Sequence, residues 1–131
     1  MDNPAAQFGF TKLVVSDLEA CAAFYTSVCG LIEWQRVDSV IAGRPMSEIM
    51  FQPTSPGAGT FVLLSFHGST ATGRDEIITG FITPDIELFV ARAATAGGRI
   101  VEAVKARPEH GVKVAFVEDV EGHLIEVVEL L

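Results

Sequence analysis

The chain has 131 residues, of which 49% are hydrophobic, and carries a formal net charge of −8; its mean hydropathy is +0.38. That is enough apolar material for one or two small units sharing a well-filled core, and too much for a disordered chain. The nine Lys and Arg residues are scattered rather than clustered, which argues against a nucleic-acid partner. No window approaches the roughly 20 apolar residues of a membrane span, and "MDNPAAQFGF" lacks the basic flank and long apolar run of a leader, so a cytoplasmic protein is expected.

"FTKLVVSDLEACAAFYTSVCG" (10–30) reads as an apolar strand, a helix start, an amphipathic helix and a glycine stop. Ser16 and Glu19 have the spacing of a capping box, and Leu18, Cys21, Ala22 and Tyr25 form the apolar stripe of a helix resting on a sheet. Cys21 and Cys29 lie ~12 Å apart along such a helix, too far for a disulfide. Both are read as free thiols. Three strand-like runs follow, "LIEWQRV", "MSEIMFQ" and "TFVLLSF", the last two separated by the loop "PTSPGAG". Residues 67–77 are read as a linker.

"ITGFITPDIELFVARAATAGG" (78–98) then repeats the first unit without a gap at a constant offset of 68, with Thr79, Asp85, Glu87, Ala91 and Gly98 identical to their counterparts. Thr83 precedes Pro84 as a helix start, and Ile86, Phe89, Val90 and Ala93 reproduce the apolar stripe. "RIVEAVKA", "VKVAFVE" and "LIEVVEL" complete the pattern. The predicted fold is α+β, two βαβββ modules at 1–66 and 78–131, each a four-stranded sheet with one helix. Each sheet would keep one apolar face open, and two such faces are expected to close around a shared cleft.

In "LIEVVEL" the side chains alternate, so Leu124, Glu126, Val128 and Leu130 share one face. Glu126 sits in mid-strand, where an unpaired carboxylate is costly unless it finds a partner, a proton, a metal or a wet cavity.

The signatures "LVVSDLEACAAFYTSVCGL" and "GFITPDIELFVARAATAGGRI", and above all "VKVAFVEDVEGHLIEVVE", resemble the vicinal oxygen chelate superfamily, which includes glyoxalase I, bleomycin-resistance proteins, fosfomycin-resistance proteins and extradiol dioxygenases. The resemblance implies a cupped mixed sheet around a cleft. It also implies a divalent metal held by one ligand from the first strand and one from the last strand of each half. Carried onto this chain, those positions fall on Phe10, Leu63, Ile78 and Glu126, with Leu63 placed by aligning the glycines of "GTFVLLSF" and "GHLIEVVE". One ligand of four does not hold a metal, because catalytic sites keep about three protein ligands, so no metal and no other cofactor is expected.

In the resembling family the next inward positions of the first strand face the same cavity, here Lys12 and Val14. Lys12 either pairs with Glu126 in place of the chelate or extends to solvent while Glu126 bonds a water or backbone amide. Ile78, Gly80 and Ile82 on one side, Leu63 and Ser65 on another, and Phe10, Val14, Leu124 and Val128 between them would form an apolar lining around few polar groups. His123 is read as a turn residue, and His67 and His110 as solvated loop residues. Arg36, Arg44, Arg74 and Arg107 are read as surface charges. Trp34, Met46, Met50 and Phe51 are read as core before ligand-stacking groups. The functional expectation is a homodimeric small-molecule-binding protein that sequesters an apolar or aromatic ligand. The alternative is a metal-independent isomerase, epimerase, cyclase or lyase, with Glu126 as general acid or base and Lys12 steadying an oxyanion.

Overall fold

The computed structural model describes residues 9–41, 43–68 and 77–131. Most of the expected linker, with Arg74, lies outside these residues. Strand β1 (Phe10–Val14) leads into helix α1 (Leu18–Cys29), then β2 (Glu33–Ile41), β3 (Arg44–Phe51) and β4 (Thr60–Phe66). The order recurs as β5 (Thr79–Ile82), α2 (Ile86–Thr95), β6 (Arg99–Arg107), a 3₁₀ turn at Pro108–His110, β7 (Val112–Glu118) and β8 (Leu124–Leu130). The predicted βαβββ repeat is therefore present strand for strand, although β2 runs on to Ile41, past the predicted end at Val37.

The strands form two four-stranded mixed sheets, ordered β1-β4-β3-β2 and β5-β8-β7-β6. In each, the first pair is parallel and the rest are antiparallel. A parallel pair needs a crossover, which α1 and α2 are part of.

Both helices begin later than the sequence signals suggested. Asp17 and Asp85, identical positions of the repeat, are the N-caps, and their Oδ1 atoms accept from the amides of Ala20 and Leu88 at 3.0 Å. A carboxylate satisfies the free amides of the first turn and also meets the positive end of the helix dipole, which the Ser16 and Thr83 hydroxyls do not. Thr83 instead accepts from the Asp85 amide through Oγ1 at 3.3 Å.

The helix-covered faces of the two sheets build one core. Leu13, Ile49 and Leu63 from the first half and Val117, Ile125 and Val127 from the second pack into a single cluster with Phe24, Tyr25 and Phe89 of the helices. A chain of rings crosses it: Phe51 to Phe61 at 6.2 Å, Phe61 to Tyr25 at 5.1 Å, Tyr25 to Phe81 at 6.2 Å and Phe81 to Phe89 at 6.2 Å between centroids. Each buried aromatic of this kind stabilises the fold by about 1.5–3 kcal/mol. Helix α1 packs on α2, and the other face of each sheet takes no part in this core cluster.

Gly98, at the entry to β6, is closely packed from both halves. A Cβ there would lie 2.3 Å from the Glu118 carbonyl oxygen and 2.9 Å from the Phe24 ring. Gly98→Ala is expected to lower stability by about 2–3 kcal/mol, whereas Gly80→Ala, where a Cβ meets nothing within 4 Å, should stay within about 0.5 kcal/mol of the parent. Urea unfolding of the two variants measures both.

Candidate functional site

Strand register decides which residues face outward. In the first half Lys12 lies beside Val62, Met50 beside Val62, and Glu48 beside Leu64. The uncovered face of that sheet therefore carries Phe10, Lys12, Val14, Val62, Leu64, Met46, Glu48 and Met50. Leu63 and Ser65, read as cleft residues from sequence, project from the opposite face: Leu63 is fully buried in the core, and Ser65 Oγ donates to the Ser16 carbonyl at 3.2 Å. In the second half Gly80 lies beside Glu126, so the counterpart of Glu126 is Val62 and not Leu63. The glycine alignment fails by one position because Gly122 stands four residues before Glu126, whereas Gly59 stands three before Val62.

Lys12 does not pair with Glu126. Its Nζ donates to Glu48 Oε2 at 2.9 Å and lies 5.7 Å from the centroid of the Phe10 ring. Glu48 is only 4% exposed, and a carboxylate so withdrawn from water needs its counter-charge close by. Sequence reading passed over Glu48, although its place between Met46 and Met50 on one strand face was the available signal.

Glu126 lies on the uncovered face of the second sheet, between Gly80 and Phe116 in register. Ile78, Ile82, Leu124, Val128, Val114 and Phe116 surround it on that face, and Ile82 is 73% exposed. Glu126 is half-buried and, among the described residues, makes no hydrogen bond or ion pair. Phe10, Val14, Gly80, Leu124 and Val128 also project from the uncovered faces, on two different sheets. A groove of about 710 Å³ runs past Phe10, Phe61, Ile78, Gly80, Phe81 and Ile82 and so adjoins these faces at the β1 and β5 edges, but neither Lys12 nor Glu126 lines it. Burial pushes the Cys29 thiol in its wall up to about 12, and burial with the nearby Glu121 and Asp119 carboxylates raises Cys21 further, so neither is a ready nucleophile.

The remaining sequence candidates have structural places. Arg36 clamps Glu19 and Glu33, Arg44 stacks 3.7 Å over Phe66, and exposed His67 meets Ser47 Oγ at 2.8 Å. Met46 and Phe51 are buried, Met50 is half-buried and Trp34 is exposed. His123 is more than a turn residue. It is buried, and its Nδ1 lies 2.8 Å from Asp119 Oδ2, which also accepts from the Tyr25 hydroxyl at 2.9 Å. Asp119 Oδ1 accepts from the amides of Glu121 and His123 at 2.9 and 3.0 Å. Glu121 in turn accepts from the amides of Ser16 and Asp17 at 2.9 and 2.6 Å, so the last turn of the second half caps the helix of the first.

The family's metal positions, corrected for register, are Phe10, Val62, Ile78 and Glu126: three hydrocarbons and one carboxylate. That donor set does not fit a divalent ion. Among the described residues no group of three or more His, Cys, Asp or Glu side chains is placed to hold a metal.

A sequence model of the Glyoxalase/Bleomycin resistance protein/Dioxygenase superfamily matches residues 7–127. The chain belongs to that superfamily. Solved structures agree in fold with this glyoxalase-like chain. A glyoxalase family protein from Bacillus cereus superposes with a TM-score of 0.84 at 22% identity, over 98% of this chain and 97% of that one. A glyoxalase/bleomycin resistance protein/dioxygenase domain from Frankia sp. gives 0.74 at 17% identity, over 97% and 99%. A mutant of glyoxalase I from Zea mays gives 0.76 at 20% identity, with this chain spanning 45% of that longer one. No curated protein sequence matches.

The Asp119–His123 contact makes stability depend on pH. The hydrogen bond to Asp119 raises His123 above its ordinary 6.5, against the opposing effect of burial. Burial works to raise Asp119, but its bonds from His123 and the backbone leave it below its ordinary 3.8. The His123 contribution is complete below the unfolded-state value near 6.5 and fades as pH rises through the higher folded value; the Asp119 contribution is complete above about 3.8 and is lost as acid protonates it. The melting temperature should therefore fall between pH 6 and pH 9, by about 2–5 °C for a ~1 kcal/mol contribution. His123→Asn should abolish most of that slope, and parallel pH profiles for the two proteins would contradict the assignment.

Proposed function

We propose that this glyoxalase-like protein binds an apolar or aromatic small molecule on the uncovered face of its second sheet, in a cup completed by the first sheet of a second copy. The observation that carries the reading is Glu126, a half-buried carboxylate without a partner on a face otherwise made of Ile78, Ile82, Leu124, Val128 and Phe116. A surface of that kind gives a ligand apolar area to cover and one polar anchor to orient it. Completion by a second copy is supported by β1 and β5, which lie at sheet edges and are each hydrogen-bonded to a neighbour strand on one side only, with Phe10, Val14, Ile78 and Ile82 exposed along them. Open apolar edges of this length favour a two-fold partner.

Sequestration is favoured over turnover because Lys12, the group that would steady an oxyanion, is held by Glu48 at 2.9 Å. No helix among the described residues is long and apolar enough to cross a membrane.

Light scattering is expected to report about 28 kDa, twice the 14.0 kDa chain. In a thermal-shift screen of small organic molecules, binders of the parent should lose at least about tenfold in affinity in Glu126→Gln, with the fold retained by circular dichroism. A monomer at micromolar concentration, or unchanged affinity in Glu126→Gln, would refute the reading.

A further inference from the structure

The second sheet carries a pattern on its uncovered face that specifies the ligand further. Register sets Gly80, Glu126 and Phe116 side by side across β5, β8 and β7, and Glu102 of β6 pairs with Phe116 at a point where the β6–β7 register shifts on both sides. Directly paired residues share a face, so the Phe116 ring has a carboxylate-bearing neighbour on each side, the two separated by about two strand spacings, ~10 Å. Gly80 leaves the Glu126 end of the row open, since even a Cβ there would meet nothing within 4 Å.

Neither carboxylate is neutralised within the described chain: Glu102, like Glu126, makes no hydrogen bond or ion pair there. The cations nearby are engaged or displaced. Arg99 donates to Glu118 Oε1 at 3.1 Å and Lys113 lies 3.9 Å from Glu129 Oε2, while Lys105, opposite Val114 on the same face one row away, and Arg107, opposite Val112, form no ion pair with either carboxylate. An aromatic face flanked by two unpaired carboxylates in an apolar floor favours one kind of guest. The ring quadrupole and both carboxylates attract a positive charge, the floor covers its hydrocarbon, and an anion is repelled from both sides.

We propose that the ligand is an apolar organic cation, an ammonium bearing aromatic or alkyl groups, held with its charge over Phe116 between Glu126 and Glu102. This rests on the uncovered face of the second sheet being the binding surface. The opposing first sheet offers a neutralised Lys12–Glu48 pair rather than a competing free charge, and the chain's net charge of −8 attracts cations at long range.

Three probes of similar size and opposite charge character separate the possibilities: phenethyltrimethylammonium, phenethyl alcohol and phenylacetate, titrated into the full-length protein and followed by NMR shifts of β5 to β8 amides. The cation should bind at least about tenfold more tightly than the alcohol, phenylacetate should not bind, and the shifts should centre on Phe116. Glu126→Gln should weaken the cation at least about tenfold and Phe116→Leu about fivefold, and Glu102→Gln should weaken the cation about fivefold while leaving the alcohol unchanged within twofold. If the alcohol binds as well as the cation, or if Glu102→Gln has no effect, the cation assignment fails and the apolar cup survives. If none of the probes shifts this face, the binding surface itself is wrong and both readings fall.

Discussion

Asp119 is the joint on which the arrangement turns. It is nearly inaccessible to solvent yet accepts from the Tyr25 hydroxyl, the His123 ring and two backbone amides, which repays the desolvation of its charge. Tyr25 belongs to the first half and the other donors to the second. The backbone of Val14 lies near His123 and helps to raise its pKa, and Glu121 in the same turn accepts from the amides that lead into α1. The polar joint and the aromatic chain from Phe51 to Phe89 act together, one setting direction and the other supplying area. They hold the two halves together.

The other face of each sheet stands clear of that core, and in the assembly proposed above a second copy completes the cup. The two outward faces differ in chemistry. The first is closed by its own ion pair, with Val62, Leu64, Met46 and Glu48 buried, whereas the second stays half-open and keeps an unpaired Glu126. The positions that hold a metal in the wider superfamily have become mostly hydrocarbon, so the polarity left for recognition comes from carboxylates on the second sheet and the Phe116 ring between them.

Much of this was legible in the sequence. The gapless repeat carried the fold because each copy pairs hydrophobic periodicity with a helix start and a glycine stop, signals that act locally. Glu126 stood out because a charge in mid-strand conflicts with alternation. Three things were not legible. Leu63 was taken for an inward residue because strand phase depends on pairing register, which aligning the turn glycines Gly59 and Gly122 does not fix. The partner of Lys12 lies on a strand 36 residues away, and Tyr25 reaches Asp119 across 94 residues; nothing local announces either contact. The row joining Glu102, Phe116 and Glu126 likewise exists only once three strands are in register.

The central claim is that a working cup takes its first wall from one chain and its second from another. Co-expressing Val14→Trp, which blocks the first sheet's outward face, with Glu126→Gln, which disables the second sheet's, and purifying the mixed dimer through two different tags, tests it most directly. Each variant alone should bind phenethyltrimethylammonium poorly, because every cup contains one damaged wall. The mixed dimer pairs the two intact walls in one cup, so it should bind one equivalent of the probe at the parent affinity. A mixed dimer that binds as poorly as its parents, or full binding by Val14→Trp alone, would contradict the account.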